Sequence, residues 1–279
     1  PEVPQAAAWC AVDLALLGVS GVGIINGYHS TTPATNANQR RFMRWVRNLP
    51  HAYIAVGETV RDEILENGAP PEKVTVLHNG IAVPPAPDPL PARAPGEPLQ
   101  LLWAGRYVTE KRMDVFVEVM ARCRERGVPA RVTLLGDGPK KPRIEEAIRE
   151  MGLGEWIATP GVSHDVAGWL HRSDLYMTPS AREGFPNALL EACAAARGAL
   201  ASDIPTHRDA LGADGSVGIL LPAEQPERWV DAIAALAADR ARVAAMGAAA
   251  YERSKQFSIE TACRKMRALY DKAVRAARR

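Results

Sequence analysis

Glu183 and Glu191 stand eight residues apart in the stretch Glu183-Gly184-Phe185-Pro186-Asn187-Ala188-Leu189-Leu190-Glu191. The apolar run Leu175-Tyr176-Met177 ahead of it predicts a buried strand. The Ala- and Leu-rich run behind Pro186 predicts a helix over 187–196. A strand, a glycine turn and a helix in that order expose backbone N–H groups at the positive end of a helix dipole, where an anion can sit. A carboxylate beside a phosphate is repelled, so two carboxylates flanking such a place are better suited to holding hydroxyl groups. Phosphates in the middle and hydroxyls at both ends describe a nucleotide sugar.

A second cluster follows the first predicted strand of the C-terminal half, in Gly105-Arg106-Tyr107-Val108-Thr109-Glu110-Lys111. In open α/β sheets ligands bind outside the carboxyl ends of strands. Arg106 can grip two phosphate oxygens at once and Lys111 adds a point charge, so the pair suits a diphosphate. If the diphosphate leaves, these cations stabilise charge that grows in the transition state. Gly136-Asp137-Gly138-Pro139 repeats the strand-to-glycine-turn pattern, with Gly136 and Gly138 letting a ligand approach the backbone. Such a pair of glycines is weak on its own. His29, after an early predicted strand, could hydrogen-bond a sugar hydroxyl or a phosphate. The other five histidines show no ligand spacing, so no metal site is expected. The lack of an Asp-x-Asp pair argues against a diphosphate held through Mg²⁺. No P-loop and no nucleophile-elbow motif is present.

The elements that must position these groups alternate strand and helix. Helices are expected at 6–19, 37–48 and 58–67, with strands at Val22–Ile25, Tyr53–Val56 and Val74–Leu77. The first strand should end at Gly27-Tyr28-His29-Ser30. Residues 84–98 contain seven prolines in fifteen positions, which excludes helix and central strand and predicts a semi-rigid linker. After it come strands at 99–103, 130–135, 156–159, 175–177, 199–202 and 217–220, separated by helices at 113–126, 142–151, 164–171 and 187–196. Helices from 226 onward complete the chain. This order predicts an α/β fold with parallel sheets. Its parts are a partial N-terminal domain at 1–83, the linker at 84–98, a donor-binding domain at 99–258 and a C-terminal helix at 259–279. Three strands before the linker against six after it predict that the first half of the N-terminal domain is missing.

Composition permits such cores. Of 279 residues, 47% are hydrophobic, and a formal charge of only +2 gives no reason to expect nucleic acid as a partner. The four scattered cysteines, Cys10, Cys123, Cys193 and Cys263, are expected as buried or partly buried free thiols in a reducing cytoplasm. Arg40, Arg41, Arg44 and Arg47, interleaved with Phe42, Met43 and Trp45, could form a helix lying on an anionic membrane surface, or a solvated or phosphate-attracting face. The C-terminal segment is also strongly basic.

Taken together, Gly105-Arg106 with Glu110-Lys111, Val76 with Asn79-Gly80-Ile81, Gly136-Asp137-Gly138-Pro139 and the run from Glu183 to Glu191-Ala192 resemble glycosyltransferase family 4 in order and spacing. The stretch from Gly161-Val162 through Asp165-Val166 and Trp169-Leu170 to Asp174-Leu175 is similar too. The resemblance covers nearly the whole chain, and implies the GT-B fold of two Rossmann-like domains and a retaining sugar transfer. Under it, Glu191 binds the donor ribose and Glu183 holds the transferred sugar. The backbone of Gly184, Phe185, Pro186 and Asn187 lines the sugar and diphosphate pocket. Arg106 and Lys111 neutralise the diphosphate in place of a metal, Val162 touches the base through its backbone, and His29 contacts the sugar. It implies no cofactor beyond a UDP- or GDP-linked sugar as co-substrate. The acceptor would be a glycan or a lipid-linked molecule, and the setting the cytoplasm or the inner membrane face. The family's N-terminal Gly-rich loop has no counterpart here. A donor-binding module without turnover, and an epimerase or phosphorylase on the same fold, are the alternatives.

Overall fold

The computed structural model describes residues 25–28, 52–86, 89–94, 96–212 and 214–277. The expected helices at 6–19 and 37–48, the basic run at 40–47, and His29 lie outside the described residues. The chain divides into two compact units. The smaller comprises Pro1–Gly80, Glu183–Phe185 and Phe257–Arg279, and the larger Ile81–Arg182 and Pro186–Gln256.

In the smaller unit, β1 (Ile25–Tyr28), β2 (Ala52–Ala55) and β3 (Val74–Val76) form a parallel sheet in that order. Ile25 pairs with Ala52 and Tyr28 with Ala55. The strand therefore runs through Gly27 and Tyr28, where residue type alone predicts a turn. Pairing with β2 carries the extended backbone that far. α1 (Glu58–Glu66) buries Val60 and Ile64, one turn apart on one face, and is closed by Gly68 at φ +89°.

The larger unit holds a six-stranded parallel sheet. Its elements are β4 (Leu99–Ala104), α2 (Met113–Glu125), β5 (Ala130–Leu135), α3 (Lys141–Glu150), β6 (Ile157–Gly161), α4 (Val166–Arg172), β7 (Leu175–Thr178), α5 (Asn187–Ala194), β8 (Gly198–Ser202), α6 (Pro205–Leu211), β9 (Gly218–Leu221), α7 (Pro226–Ala238) and α8 (Arg240–Ser254). The spatial order β6-β5-β4-β7-β8-β9 is the doubly wound Rossmann arrangement. β7 and β8 are buried at every position, which is why they read as continuous apolar runs rather than alternations. On the other half of the sheet, Trp103 meets Tyr107 and Phe116 edge-on, with centroids at 5.3 and 6.0 Å. α5 stops at Ala194, two residues before the expected end. Ala196 turns left-handed at φ +57°, and the Arg197 N–H returns to the Ala192 carbonyl.

The proline-rich stretch before β4 is fastened by one buried carboxylate. Asp174, 2% exposed, accepts from Arg93 Nε at 3.0 Å, from Arg240 at 3.2 Å and from the Gln100 backbone N–H at 2.7 Å. Arg93 and Arg240 also donate to the Arg172 and Glu97 carbonyls. The last helix, α9 (Ile259–Ala277), belongs to the smaller unit, where Leu269 and Met266 pack on Ala52, Ile54 and Leu77.

Asp174→Asn keeps the shape but removes the charge that both arginines need. The expected loss is about 2 kcal/mol, the scale of a hydrogen bond to a charged group left unmade, read as a lower urea midpoint at unchanged slope. An unaltered midpoint would show that the carboxylate does not fasten this stretch.

Candidate active site

The order of the larger sheet reverses between β4 and β7, whose connections leave in opposite directions. A crevice opens at the carboxyl ends of strands at such a point. The loop after β4 carries Arg106 and Lys111, and the segment after β7 leads into α5. The Ala181 N–H donates to the Glu110 carbonyl at 2.8 Å, so these two loops are joined across the reversal. Arg106 is exposed and Lys111 half-buried, the latter in a single 3₁₀ turn, Thr109–Lys111.

The neighbouring loops are joined in the same way. Gly105 donates to the Leu135 carbonyl at 3.0 Å, Tyr107 to Asp137 at 2.9 Å, and Lys140 to Tyr107 at 3.1 Å. Gly136 donates to Gly161 at 2.8 Å. Four strand exits, those of β6, β5, β4 and β7, thus form one continuous rim. Tyr107 is its internal post. It is fully buried, its hydroxyl donates to the Leu134 carbonyl at 3.0 Å, and burial raises its pKa far above the ordinary tyrosine value.

Gly136 and Gly138 adopt φ of +124° and +150°. A Cβ on Gly136 would collide with the Gly105 carbonyl oxygen, and one on Gly138 would lie 2.7 Å from that of Tyr107. The two glycines therefore have a packing reason of their own, because the β4 loop presses on them. Val162 follows β6 on the same rim with 67% of its surface exposed, an apolar side chain held out in solvent.

On the β7 side the backbone is held by hydroxyl groups. Ser202 Oγ donates to the Ser180 carbonyl, while Ser180 Oγ and Thr178 Oγ1 lie 3.2 Å apart. His207, fully buried, places Nδ1 2.9 Å from the Ser202 carbonyl and 3.1 Å from its Oγ. With the Ser202 proton already committed to Ser180, Nδ1 is the donor in this pair. His207 thus braces the loop.

Pro186 occupies the N-cap of α5 and offers no side-chain acceptor to the first N–H groups. The helix therefore begins with its positive end uncapped by a side chain, and Asn187 is exposed there. Glu191 sits one turn on. Its side chain reaches solvent, yet burial by the surrounding protein raises its carboxyl pKa above the ordinary value. Glu183, Gly184 and Phe185 group with the smaller unit, with Glu183 and Gly184 half-buried and Phe185 9% exposed. The motif that reads as one unit in sequence is divided between the two units. A cavity of about 380 Å³ lies beside the rim, lined by Thr109, Arg112, Lys140 and Arg143 among others, and neither Arg106, Lys111 nor Glu191 lines it.

Cys123 and Cys193 are fully buried, and burial pushes both thiols to about 12, so neither is a nucleophile near neutral pH. Cys263, on α9, is exposed, contrary to the expectation of a buried or partly buried thiol. Among the described residues, no three His, Cys, Asp or Glu side chains group so as to hold a metal ion.

Residues 98–239, half of the chain, match the family described as Glycosyl transferases group 1, and residues 3–83 match Glycosyltransferase Family 4. The chain belongs to the glycosyltransferases of this family. It is 29% identical over 245 residues to a D-inositol 3-phosphate glycosyltransferase of Streptomyces bingchenggensis, a match that covers 81% of this chain and 54% of that one. It is 31% identical over 179 residues to a lipopolysaccharide core biosynthesis mannosyltransferase of Rhizobium meliloti, covering 61% and 51%. The chain spans about half the length of these curated relatives. Among solved structures, HepE of Anabaena in complex with UDP superposes with a TM-score of 0.81 at 16% identity, over 96% of this chain and 76% of that one. TarM of S. aureus in complex with UDP gives 0.73 at 20% identity, over 88% and 50%. These likenesses show the GT-B fold for this member of the glycosyltransferases.

Glu191→Gln separates folding from binding. The folded chain holds the Glu191 proton more tightly than the unfolded chain does. Stability tied to this group is therefore full at pH below the unfolded value and is lost as pH rises through the folded one. Removing the charge should leave the melting temperature at pH 7 unchanged or higher. If Glu191 holds the ribose hydroxyls of a nucleotide, affinity for a nucleoside diphosphate should meanwhile fall by about 5- to 150-fold. Calorimetry on both properties checks this, and a variant that melts lower with unchanged affinity would contradict it.

Proposed function

We propose that this chain forms the donor-binding part of a retaining glycosyltransferase that moves a sugar from a UDP- or GDP-linked donor to a glycan or lipid-linked acceptor without a metal. The observation that carries the reading is the bond between Ala181 and Glu110, which joins the cationic β4 loop to the segment entering α5 across the sheet's reversal. A diphosphate there would meet Arg106, Lys111 and the N–H groups opening α5. Glu191 would take the ribose, with Val162 beside the base. Glu183 and the backbone of Gly184 and Phe185 would hold the sugar, and His29 would contact it. The UDP present in the HepE and TarM structures supports a nucleotide ligand for the shared fold.

In this mechanism the departing diphosphate gathers negative charge as the glycosidic bond breaks, and Arg106 and Lys111 would offset it. The acceptor hydroxyl attacks on the face the diphosphate leaves, and a phosphate oxygen takes its proton, so the anomeric configuration is kept. A lipid-linked acceptor would bring the protein to the inner membrane face. The outer face of α9 supports surface contact, with Tyr270 52% and Val274 39% exposed among Arg264, Lys265, Arg267 and Arg275. No helix among the described residues is long and apolar enough to cross a membrane. A second reading is donor binding without turnover, which the same β4–β7 crevice would serve.

Incubation with UDP- and GDP-sugars, followed by assay of released nucleoside diphosphate, separates the two. The Arg106→Ala, Lys111→Ala double variant should lose about 10²- to 10³-fold in turnover and distinctly less in donor affinity. Turnover should also survive EDTA. Equal losses in rate and affinity, or abolition by EDTA, would contradict the metal-free role of the cations.

A further inference from the structure

Three aromatic rings from distant parts of the chain meet in the smaller unit. His78 follows β3, Phe185 ends the Glu183–Phe185 segment, and Phe257 closes the turn before α9. His78 stacks on Phe185 with centroids 5.0 Å apart and planes 12° from parallel. Phe257 leans against both, at 5.2 Å from His78 and 6.0 Å from Phe185. Phe185 is 9% exposed and Phe257 3%, so the cluster is largely dry. The chain also approaches closely around it. A Cβ on Gly57 would lie 3.3 Å from the Gly184 carbonyl oxygen, and one on Gly80 would lie 2.7 Å from Ile259 Cα.

Residues 183–185 lie in neither helix nor strand. Without a ladder to fix it, such a segment takes its position from what its side chains touch. Phe185 is the large apolar side chain it offers, and the His78 ring covers one face of it. Whatever orients Phe185 also orients the Gly184 peptide and the Glu183 side chain one and two residues before it.

We propose that His78 is a positioning residue for the sugar-holding segment. Its ring, closed by Phe257, clamps Phe185 and thereby fixes Glu183 and Gly184. This rests on the reading above, in which those residues hold the transferred sugar, while Glu191, Arg106 and Lys111 hold the nucleoside diphosphate in the larger unit. The clamp therefore acts on the sugar end of the ligand and leaves the nucleotide end alone.

Three forms of the full chain test this: unsubstituted, His78→Ala, and His78→Phe, which keeps a stacking ring. Arg182 is exposed, so trypsin cleavage after it reports opening of the segment, as does hydrogen exchange of peptides spanning 179–190. His78→Ala should raise both about fivefold, the scale of one stacked aromatic pair, with peptides of β4 unchanged. In the same variant, affinity for the intact nucleotide sugar should fall by about fivefold, while affinity for the nucleoside diphosphate stays within about twofold. His78→Phe should restore both. Unchanged exchange in His78→Ala, or failure of His78→Phe to restore it, overturns the clamp. Faster exchange with no separation between the two ligands shows a purely structural ring and overturns the positioning role. An unsubstituted chain that binds neither ligand overturns the nucleotide-sugar reading itself, while the exchange result still judges the clamp.

Discussion

Two parallel neighbours whose connections leave in opposite directions leave a gap at their carboxyl ends that no regular structure fills. Here that gap lies between β4 and β7, and a backbone hydrogen bond from Ala181 to the Glu110 carbonyl ties its two sides. The rest of the candidate site depends on that tie. It brings the loop bearing Arg106 and Lys111 beside the segment that enters α5. The glycine turns after β5 and β6 extend the same rim by further backbone bonds, so the rim is held by main chain and not by the side chains that would meet a ligand.

That division leaves the chemically useful groups costly where they stand. α5 starts on a proline that cannot cap it, and Glu191 keeps a carboxyl whose ionisation its surroundings oppose. The scaffold absorbs such local penalties through buried strands such as β7 and β8, the Trp103 cluster, and polar groups satisfied in full view of the backbone. Asp174 with its two arginines is of this kind, and His207 on Ser202 braces the loop beside it. They look like chemistry in a residue count and act as fasteners in space.

Much of this could be read from residue order. The apolar runs at 99–104 and 175–178 appear as buried strands, and the alternation of elements predicts the doubly wound sheet of the larger unit. Arg106 and Lys111 stand in the loop after β4 and Glu191 on α5, where residue order predicts them. What was hidden depends on contacts between segments far apart in the chain. β1 reaches Tyr28 because β2 pairs with it that far. Gly136 and Gly138 are required by the pressure of the β4 loop, which local pattern cannot show. Glu183 and Glu191 read as one motif, yet they fall in different units, because Phe185 finds its partners in His78 and Phe257. Tyr107 and His78 carried no motif, and only their rings' neighbours reveal what they do.

The most direct test of the account is a crystal structure of this chain with a bound nucleoside diphosphate. The account predicts phosphate oxygens within hydrogen-bonding reach of Arg106, Lys111 and the first N–H groups of α5, with the ribose hydroxyls on Glu191. A diphosphate bound elsewhere, for instance in the cavity lined by Arg112, Lys140 and Arg143, with the β4–β7 crevice empty, would contradict it.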